Sequence, residues 1–515
     1  MKKKLSQMNR RDFISTSVAL GAFTIIPNHV FAAKKHGMVA PSDRITLVHI
    51  ACGTESLNEI GEILTSPGIE IVGVADPNRE SYDYVHWGPT GLRDHIRRLI
   101  GEPTWKEGKR GIPGGRDVMK EVVETYYRKN RPGYKGTVAA VADYRELLDK
   151  MDVDAVKILT PDHHHAYQAI DCMRRGKHII MHKPLGNKMT EAMKVVDVAI
   201  ETGVSTYLLP YHAFAQGNLD KIMNMIKAGA IGKLKEIHSW TNRPVWPQYA
   251  TLPTEKPPVP DGFNWDLWLG PSQMRDYSPQ YTHATFRGWY EFGAGAIADM
   301  GYYGLWPIFD AFKLDSASSV TSRFSRVVDI RDLDGSLVPG VIANNYSFPM
   351  AAAYRFEIPY KDGSGKIILQ WHDGGMKPQV PEDYPGDDLP IEGMLFVGNE
   401  GTIVSGFHRQ NPVLLGERGA KFNDIPGTPV PDQEGLLENG RMIWVQEWID
   451  GMHGKKKSPA SFEFAKEVNE TFNLGTISLM RGGRKMEYDV KTRTITNDAE
   501  GNKLLTRDVR QGWEM

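Results

Sequence analysis

Short apolar runs separated by polar turns recur through the first part of the chain and predict the strands of a parallel sheet. The runs cover residues 45–50, 69–75, 155–159, 178–181 and 205–209. Between the third and fourth runs, residues 165–175 have helical spacing, which places Ile170 and Met173 on the inner face. Strand, helix and strand in this order are typical of an α/β domain with a doubly wound parallel sheet.

Polar and titratable residues follow two of these predicted strands at the point where each strand ends. Thr160, Asp162 and the three histidines 163–165 follow residues 155–159, and His182 and Lys183 follow the next run. Ligands of open parallel sheets bind beyond the carboxyl ends of the strands. We therefore expect a ligand site at this edge of the sheet.

The turn after the first strand resembles a dinucleotide-binding loop in part. Three glycines are usual there, but this chain has Ala51, Gly53 and Ser56, so only the middle glycine is kept. Asp76 ends the second strand, where a carboxylate can bind the ribose hydroxyls. A carboxylate there repels a 2′-phosphate, which favours NAD over NADP, although Arg79 lies nearby. The cofactor candidates in this region are Ala51, Gly53, Thr54 and Asp76.

The remaining pattern predicts a second domain and one insertion. Residues 81–136 are rich in Gly, Pro, Arg and aromatic residues and exceed what a crossover needs, so we interpret them as an insertion, with a lid as one option. We place the first domain at 44–210, an α+β domain with a mostly antiparallel sheet at 211–490, and a tail at 491–515. The predicted strands of that sheet cover 320–328, 341–348, 353–358, 366–371 and 393–397.

The first 32 residues have the order of an export signal. Arg10 and Arg11 form a twin-arginine motif, the apolar run 18–26 follows, and Val30-Phe31-Ala32 is a candidate cleavage site. The run is too short to span a bilayer, so we predict a protein exported in the folded state to the periplasm, without stable membrane insertion. With two cysteines, Cys52 and Cys172, no disulfide framework is expected. We favour free thiols over a pair.

A formal net charge of −1 gives no basic excess that would favour nucleic acid as a partner. The spacing of Cys and His also predicts no metal site, because adjacent histidines on a turn point in different directions and no carboxylate or cysteine set completes one.

Several motifs in order resemble the Gfo/Idh/MocA oxidoreductases, in particular the exported twin-arginine (Bacteroidetes-like) branch. They include VHIACGT, VADPN, ILTPDHHHAYQAIDCMRRGKHIIMHKPL, NWDLWLGP and RGWYEFGAGAIADMG. The resemblance implies an N-terminal Rossmann domain that holds NAD(P), followed by a domain whose large open sheet often forms a dimer interface. It also implies sugars or related polyols as substrates, and hence a carbohydrate partner and a homo-oligomer.

The chain departs from the family at its usual catalytic residues. The Glu-Lys-Pro motif is His182-Lys183-Pro184 here, and the Asp-x-x-x-His motif begins at Asp299 but ends in Tyr303. The resemblance implies that Lys183 handles the substrate proton. Tyr303 is a candidate acid or base and equally a packing or sugar-stacking residue, and His182 is a candidate orienting group.

The resemblance also assigns further site residues. Thr160, Asp162 and His165 are expected on the cofactor side, together with Lys183. Arg and Trp side chains suit carbohydrates, because an indole stacks on a sugar ring and a guanidinium donates to hydroxyls. The substrate candidates are Arg243, Trp246, Trp289 and Asp299.

Three functions are compatible with these residues. The first is an NAD-dependent oxidoreductase that transfers hydride between a sugar hydroxyl carbon and tightly bound nicotinamide. The second is an NAD-dependent glycoside hydrolase that works by transient oxidation and elimination, because free NAD is scarce in the periplasm. The third is a sugar-binding protein that retains NAD as a structural group.

Overall fold

The computed structural model describes residues 43–209, 214–246, 248–249, 251–342, 344–427 and 441–515, without the side chains of 214–218 and 441–443. The predicted export signal lies outside these residues. No helix within them combines the length and the apolar character needed to span a bilayer.

The first domain is built on a parallel sheet, as the sequence predicted, and this sheet has six strands. Its strand order is β3-β2-β1-β4-β5-β6, which reverses direction between β1 and β4. The strands are β1 (Ile45–Ile50), β2 (Ile69–Ala75), β3 (Ala139–Val141), β4 (Ala155–Ile158), β5 (His178–His182) and β6 (Thr206–Leu209). Ile50 of β1 lies opposite both Ala75 and Ile158, so the turns after β1, β2 and β4 meet at one edge.

Helices cover both faces of this sheet. Their apolar positions are buried in one continuous core that extends into the second domain. The helices are Thr54–Leu64, Gly91–Ile100, Arg116–Asn130, Tyr144–Lys150, His165–Arg174 and Met189–Thr202. Arg116–Asn130 is the crossover helix between β2 and β3, so residues 81–136 contain part of the regular fold besides an insertion.

The second domain is built on a nine-stranded mixed sheet. Its order is β15-β14-β13-β7-β12-β11-β8-β16-β17, and within it only the β7–β12 pair is parallel. The strands are β7 (Leu234–Trp240), β8 (Ser319–Phe324), β11 (Ala352–Pro359), β12 (Lys366–His372), β13 (Gly393–Gly398), β14 (Thr402–Ser405), β15 (Val413–Leu414), β16 (Met486–Asp489) and β17 (Thr494–Ile495). The predicted fold class of both domains is confirmed.

One predicted strand is wrong. Residues 341–348 were expected in the large sheet, but β9 (Val328–Leu333) and β10 (Ser336–Val341) form a separate, exposed hairpin. Asp334-Gly335 joins β9 and β10 by a tight turn, so these two strands pair with each other and not with the large sheet.

Further helices connect the two domains and cover the large sheet. They are Phe214–Lys227, Trp265–Leu269, Gly295–Ala311, Gly419–Phe422, Arg441–Met452, Lys466–Met480 and Ala499–Lys503. Helix Gly295–Ala311 packs against Lys466–Met480, and its first two turns point toward the polar edge of the parallel sheet. That packing positions Asp299 and Tyr303.

Candidate active site

A cavity of about 840 Å³ lies beyond the carboxyl ends of β1, β2, β4 and β5, between the two domains. This volume is within the range of about 300–1,000 Å³ usual for ligand sites. The wall contains most of the sequence-predicted residues, namely Ala51, Gly53, Thr54, Asp76, Thr160, His182, Lys183, Arg243, Trp246, Asp299 and Tyr303. Their predicted roles remain predictions, but the fold brings them to one place.

The turn after β1 leaves the start of helix Thr54–Leu64 open to the cavity. Gly53 is the N-cap and no side chain caps the helix, so its first backbone N–H groups have no side-chain acceptor. Uncapped N–H groups at a helix start bind phosphate readily. Ala51, where the fingerprint has its first glycine, adopts φ +75°, a left-handed conformation that favours glycine. The backbone therefore keeps the shape of a dinucleotide-binding loop although two of the three glycines are absent.

Asp76 holds this turn in place. Its Oδ2 accepts a hydrogen bond from the Cys52 N–H at 2.6 Å, and its Oδ1 accepts one from the Asn78 N–H at 2.7 Å. Burial raises the pKa of Asp76, and these hydrogen bonds oppose the shift. Each oxygen has a second lone pair, so the carboxylate can still accept a ribose hydroxyl.

Two residues predicted on the cofactor side do not reach the cavity wall. Asp162 accepts a hydrogen bond from the Ala294 N–H at 3.0 Å and lies 3.5 Å from Arg287. His165 is buried, and its ring nitrogens lie 2.7 Å from the carbonyl oxygen of Pro184 and 2.8 Å from that of Thr160. Neither side chain lines the cavity, and both instead hold the turns that follow β4 and β5 through these contacts, so their cofactor role stays a prediction.

Lys183 meets Asp299 across the domain boundary. The Lys183 Nζ donates a short hydrogen bond to Asp299 Oδ1, and Arg287 Nε lies 3.8 Å from the same oxygen. Burial would raise the pKa of Asp299, but the two cations outweigh it and lower the pKa to about 2. Asp299 is therefore ionised at neutral pH and orients the Lys183 amine at the cavity wall.

His182 has a carboxylate partner from a different element. Its Nε2 lies 3.1 Å from Glu59 Oε1, and the other oxygen of Glu59 accepts a hydrogen bond from Lys157 Nζ at 3.0 Å. Burial would raise the pKa of Glu59, but Lys157 and His182 lower it well below its usual range. An ionised carboxylate only accepts, so His182 Nε2 carries the hydrogen, and in the neutral ring Nδ1 remains an acceptor.

Tyr303 lies above Lys183, with the ammonium 5.3 Å from the ring centroid. His408, from the loop after β14, packs edge-on against the same ring at 5.9 Å. Burial and the carboxylates of Glu55 and Asp299 raise the pKa of Tyr303 well above its usual value. The phenol therefore stays protonated at neutral pH and can donate a hydrogen bond rather than act as a base.

The substrate candidates of the second domain separate into two groups. Arg243 and Trp246 line the cavity, and the guanidinium of Arg243 lies 4.2 Å from the ring of Trp87 in the insertion. The Trp246 indole N–H is buried and has no hydrogen-bond partner among the described residues. Trp289 is 1% exposed and stacks on Tyr249 at 4.4 Å, so its predicted substrate role is wrong: it belongs to an aromatic core.

A group of three possible metal ligands occurs in the described part of the chain. Ligand atoms of Glu55, Glu59 and His182 lie within 4.8 Å of one another. Lys157 already neutralises the charge of Glu59 there, so the cluster is explained by ion pairing.

Several cavity residues were missed by the sequence analysis. They are Glu55, the insertion residues Tyr84, His86 and Trp87, His408, and Trp513. Glu55 directly follows the motif VHIACGT, which was the available signal. The others lie outside the motifs, and only the folded chain brings them together.

Two family models match the chain. Residues 127–209 match the Gfo/Idh/MocA oxidoreductase family, NAD-binding Rossmann fold, and residues 219–329 match the C-terminal alpha/beta domain of that family. Both matched regions are thus domains of the Gfo/Idh/MocA oxidoreductase family. The predicted family and its NAD-binding Rossmann domain are confirmed, whereas the export branch remains a prediction.

Curated relatives of the chain are named as glycosidases. A glycosyl hydrolase family 109 protein of Shewanella sp. (strain ANA-3) is 33% identical over 117 residues, which is 23% of this chain and 25% of that protein. An alpha-N-acetylgalactosaminidase of Shewanella oneidensis is 32% identical over 117 residues, with the same shares. The match thus spans about a quarter of the length of these relatives.

A solved structure shares the fold of the chain. The WlbA dehydrogenase of Bordetella pertussis, in complex with NADH and UDP-GlcNAcA, superposes with a TM-score of 0.50 at 14% identity. The superposition covers 87% of this chain and 99% of that one. At this identity the likeness concerns the fold.

Proposed function

We propose that the protein is an NAD-dependent enzyme that removes a hydride from a hydroxyl-bearing carbon of a carbohydrate. The observation that carries the proposal is the Lys183–Asp299 pair. It joins the two domains inside the same cavity that the uncapped helix start at Gly53 faces. A proton acceptor and a phosphate-binding backbone in one enclosed space are what alcohol oxidation by a dinucleotide requires.

The residues that would hold NAD fit its chemistry. The N–H groups after Gly53 suit the pyrophosphate, Asp76 suits the adenosine ribose, and Thr160 and Lys183 line the path toward β5. When bound, NAD supplies an acceptor for hydride. The Asp76 carboxylate also supports NAD over NADP, because a 2′-phosphate beside it would be repelled.

Lys183 is the group that would take the substrate proton. Oxidation of an alcohol releases a proton from the hydroxyl as the hydride leaves carbon, and Lys183 would accept it in its neutral form, after giving up the proton that it carries in the ion pair with Asp299. Asp299 fixes the direction of the amine and stabilises the ammonium that forms. Tyr303 would donate a hydrogen bond to a substrate oxygen, since its phenol stays protonated.

Arg243 and Trp246 support a carbohydrate as the substrate. The guanidinium can donate to hydroxyl or carboxylate oxygens, and the indole offers both a stacking face and an unpartnered N–H. Both side chains line the cavity together with Lys183.

Glycoside cleavage is a second candidate, which the curated glycosidase relatives favour. Oxidation of a sugar carbon acidifies the neighbouring C–H, and loss of that proton expels the aglycone. Addition of water and return of the hydride to the same carbon then complete a hydrolysis without net redox change. His182 would then be the second base, because its Nδ1 accepts while Glu59 holds Nε2.

Two measurements test these proposals. Mass spectrometry of the small molecules released on denaturation identifies the dinucleotide, and we expect NAD. Incubation with a panel of aryl glycosides, without added NAD, then separates the two functions. Aglycone release indicates the hydrolase, and reduction of added NAD with a free sugar indicates the oxidoreductase. If a wide panel gives neither reaction, both enzyme proposals are refuted and a sugar-binding protein is the remaining function.

We also propose that the protein is exported with its cofactor through the twin-arginine signal in residues 1–32. Replacing Arg10 and Arg11 by lysine should retain the protein in the cytoplasm. Cell fractionation measures this, and an unchanged periplasmic fraction would refute it.

A further inference from the structure

Residues 505–515 cross the boundary between the two domains on one side of the cavity. The Leu505 carbonyl accepts a hydrogen bond from the Thr190 N–H of the first domain at 3.1 Å. The Gln273 side chain of the second domain donates to the Asp508 carbonyl at 3.0 Å. We call residues 505–515 the strap.

Arg507 is the main anchor of the strap. Its side chain is 5% exposed and forms a two-point ion pair with Glu191, whose side chain is 1% exposed, at 2.5 and 3.1 Å. The same guanidinium donates to the Glu291 carbonyl at 3.0 Å. Because Glu191 belongs to the first domain and Glu291 to the second, Arg507 ties both to the strap.

Arg510 provides a second anchor. Its guanidinium lies 2.6 Å from Asp266 Oδ1 and donates to the carbonyl oxygens of Asp266 and Gly270 at 2.8 and 3.0 Å. The Trp513 N–H donates to the Arg510 carbonyl at 3.1 Å, so this anchor also fixes the position of Trp513.

Trp513 is part of the cavity wall. The guanidinium of Arg145 lies 4.8 Å from the centre of its ring, and His164 packs edge-on at 5.6 Å. Arg145 is held in turn by two hydrogen bonds to Asp143. The indole thus has a fixed position beside the turn that follows β3.

The topology identifies this end of the cavity. Lys183 follows β5, on one side of the point where the strand order reverses, and Asp76 and Asp143 follow β2 and β3 on the other. In this sheet order, the ribose-binding carboxylate after β2 marks the adenosine half of the dinucleotide. Trp513 therefore lies at the adenosine end, far along the chain from the family motifs.

We propose that Trp513 packs against the adenine ring of the bound dinucleotide and that Arg507 and Arg510 keep it there. This inference rests on the NAD site of the proposed function. Since the strap is fixed by a buried ion pair to the first domain and by hydrogen bonds to the second, the dinucleotide is held at its adenosine end through turnover. Slow exchange of the bound dinucleotide with the solvent suits an enzyme that restores its cofactor within each catalytic cycle.

Two variants test the inference, Trp513→Ala and Trp513→Phe, with the exposed Glu514→Ala as the control. Equilibrium binding of AMP and of nicotinamide mononucleotide is measured on protein freed of dinucleotide. Dissociation of NAD from the loaded protein is followed by gel filtration and mass spectrometry. Loss of one base–aromatic stack should weaken AMP binding and speed NAD release by about 5- to 150-fold in Trp513→Ala.

The comparison of AMP binding with nicotinamide mononucleotide binding across the variants tests whether Trp513 contacts the adenine ring. We expect nicotinamide mononucleotide binding to stay within twofold, Trp513→Phe to recover most of the loss, and Glu514→Ala to behave as the parent protein. Equal weakening of both probes, or AMP binding unchanged in Trp513→Ala, would overturn the inference while leaving the NAD site intact. Absence of dinucleotide binding by the parent protein would remove the proposed function as well.

Discussion

The carboxylate of Glu59 lies 3.1 Å from Nε2 of His182, although the two residues are 123 positions apart in the chain. The family motif has a glutamate where this chain has His182. The structure supplies a carboxylate from helix Thr54–Leu64 instead, and Lys157 balances its charge. A carboxylate from another element thus lies beside position 182, where the family motif has its own glutamate.

Removal of the Glu59 charge should destabilise the fold. Glu59→Gln leaves Lys157, whose side chain is fully buried, without an ionised partner. Breaking a buried pair in this way costs about 3–5 kcal/mol of unfolding free energy. Urea denaturation measures it, and the exposed Glu146→Gln, which breaks an i,i+4 pair with Lys150, should change the free energy by less than about 0.5 kcal/mol.

A glutamate at position 182, as in the family motif, should be tolerated only if the charge of Glu59 is removed. His182→Glu places a second carboxylate beside Glu59, so we expect it to lose stability. His182→Glu combined with Glu59→Gln again presents one negative charge to Lys157 and should recover most of that loss. Strict additivity of the two changes in urea denaturation would show that the residues do not interact.

Replacement of Lys183 should abolish turnover and spare the cofactor. Lys183→Met removes the proposed proton acceptor, and general base catalysis contributes about 10²- to 10⁴-fold. Steady-state rates with the substrate that the glycoside panel identifies measure the loss. The released dinucleotide should remain at the parent level, and Lys150→Met, at an exposed lysine, should change neither quantity. A loss of less than tenfold would exclude Lys183 as the base.

Tyr303→Phe should have a modest effect. Because burial and the neighbouring carboxylates raise the pKa of Tyr303, its role is that of a neutral donor. Loss of one such hydrogen bond is worth about 0.5–1.5 kcal/mol, or roughly 2- to 12-fold in rate. The alkaline limb of the pH–rate profile should keep its position. A loss above 100-fold, or a moved alkaline limb, would instead assign proton transfer to Tyr303.

Acidification should unfold the protein in part through its buried histidines. Burial, and next the charge of Lys157, lower the pKa of His49 from 6.5 to about 3. The unfolded chain then binds more protons between these values, so stability is present above pH 6.5 and falls as the pH drops toward 3. At pH 5, protonation of His49 in the unfolded chain alone lowers the free energy of unfolding by about 2 kcal/mol relative to neutral pH.

His49→Leu tests this by removing the titrating ring. The unfolding free energy of the variant, measured by urea at several pH values, should fall less steeply below pH 6.5 than that of the parent. Relative to the parent, the variant should gain about 2 kcal/mol of unfolding free energy as the pH falls from 7 to 5. Parallel curves would show that His49 does not contribute.

Much of the first domain was predictable because the information is local. The strands β1, β2, β4, β5 and β6 are continuous apolar runs, and a strand buried on both faces must be such a run. The strand β3 was missed, since it has three half-buried residues and no such pattern. The position of Lys183 and of the turn at Gly53 followed from the strand ends.

Tryptophan shows where pattern alone fails. Trp246 and Trp289 have similar sequence surroundings, rich in Arg and Pro or aromatic residues, and both were predicted to bind substrate. Trp246 lines the cavity, whereas Trp289 lies between Tyr249 and Tyr281 in an aromatic core. The burial of a tryptophan depends on the distant segments that pack on it, and the neighbouring sequence does not contain this information.

The sequence by itself determined the layered fold, the family and the edge of the sheet that carries the polar candidate residues. The spacing of apolar residues and the succession of helices and strands can be read directly from the chain. The tertiary structure decided which side chains meet: Glu59 with His182, Asp299 with Lys183, and Trp513 with Arg145. Ion pairs and cavity walls join residues that are distant in sequence. Their energies depend on separation and burial in space, and only the folded chain sets these.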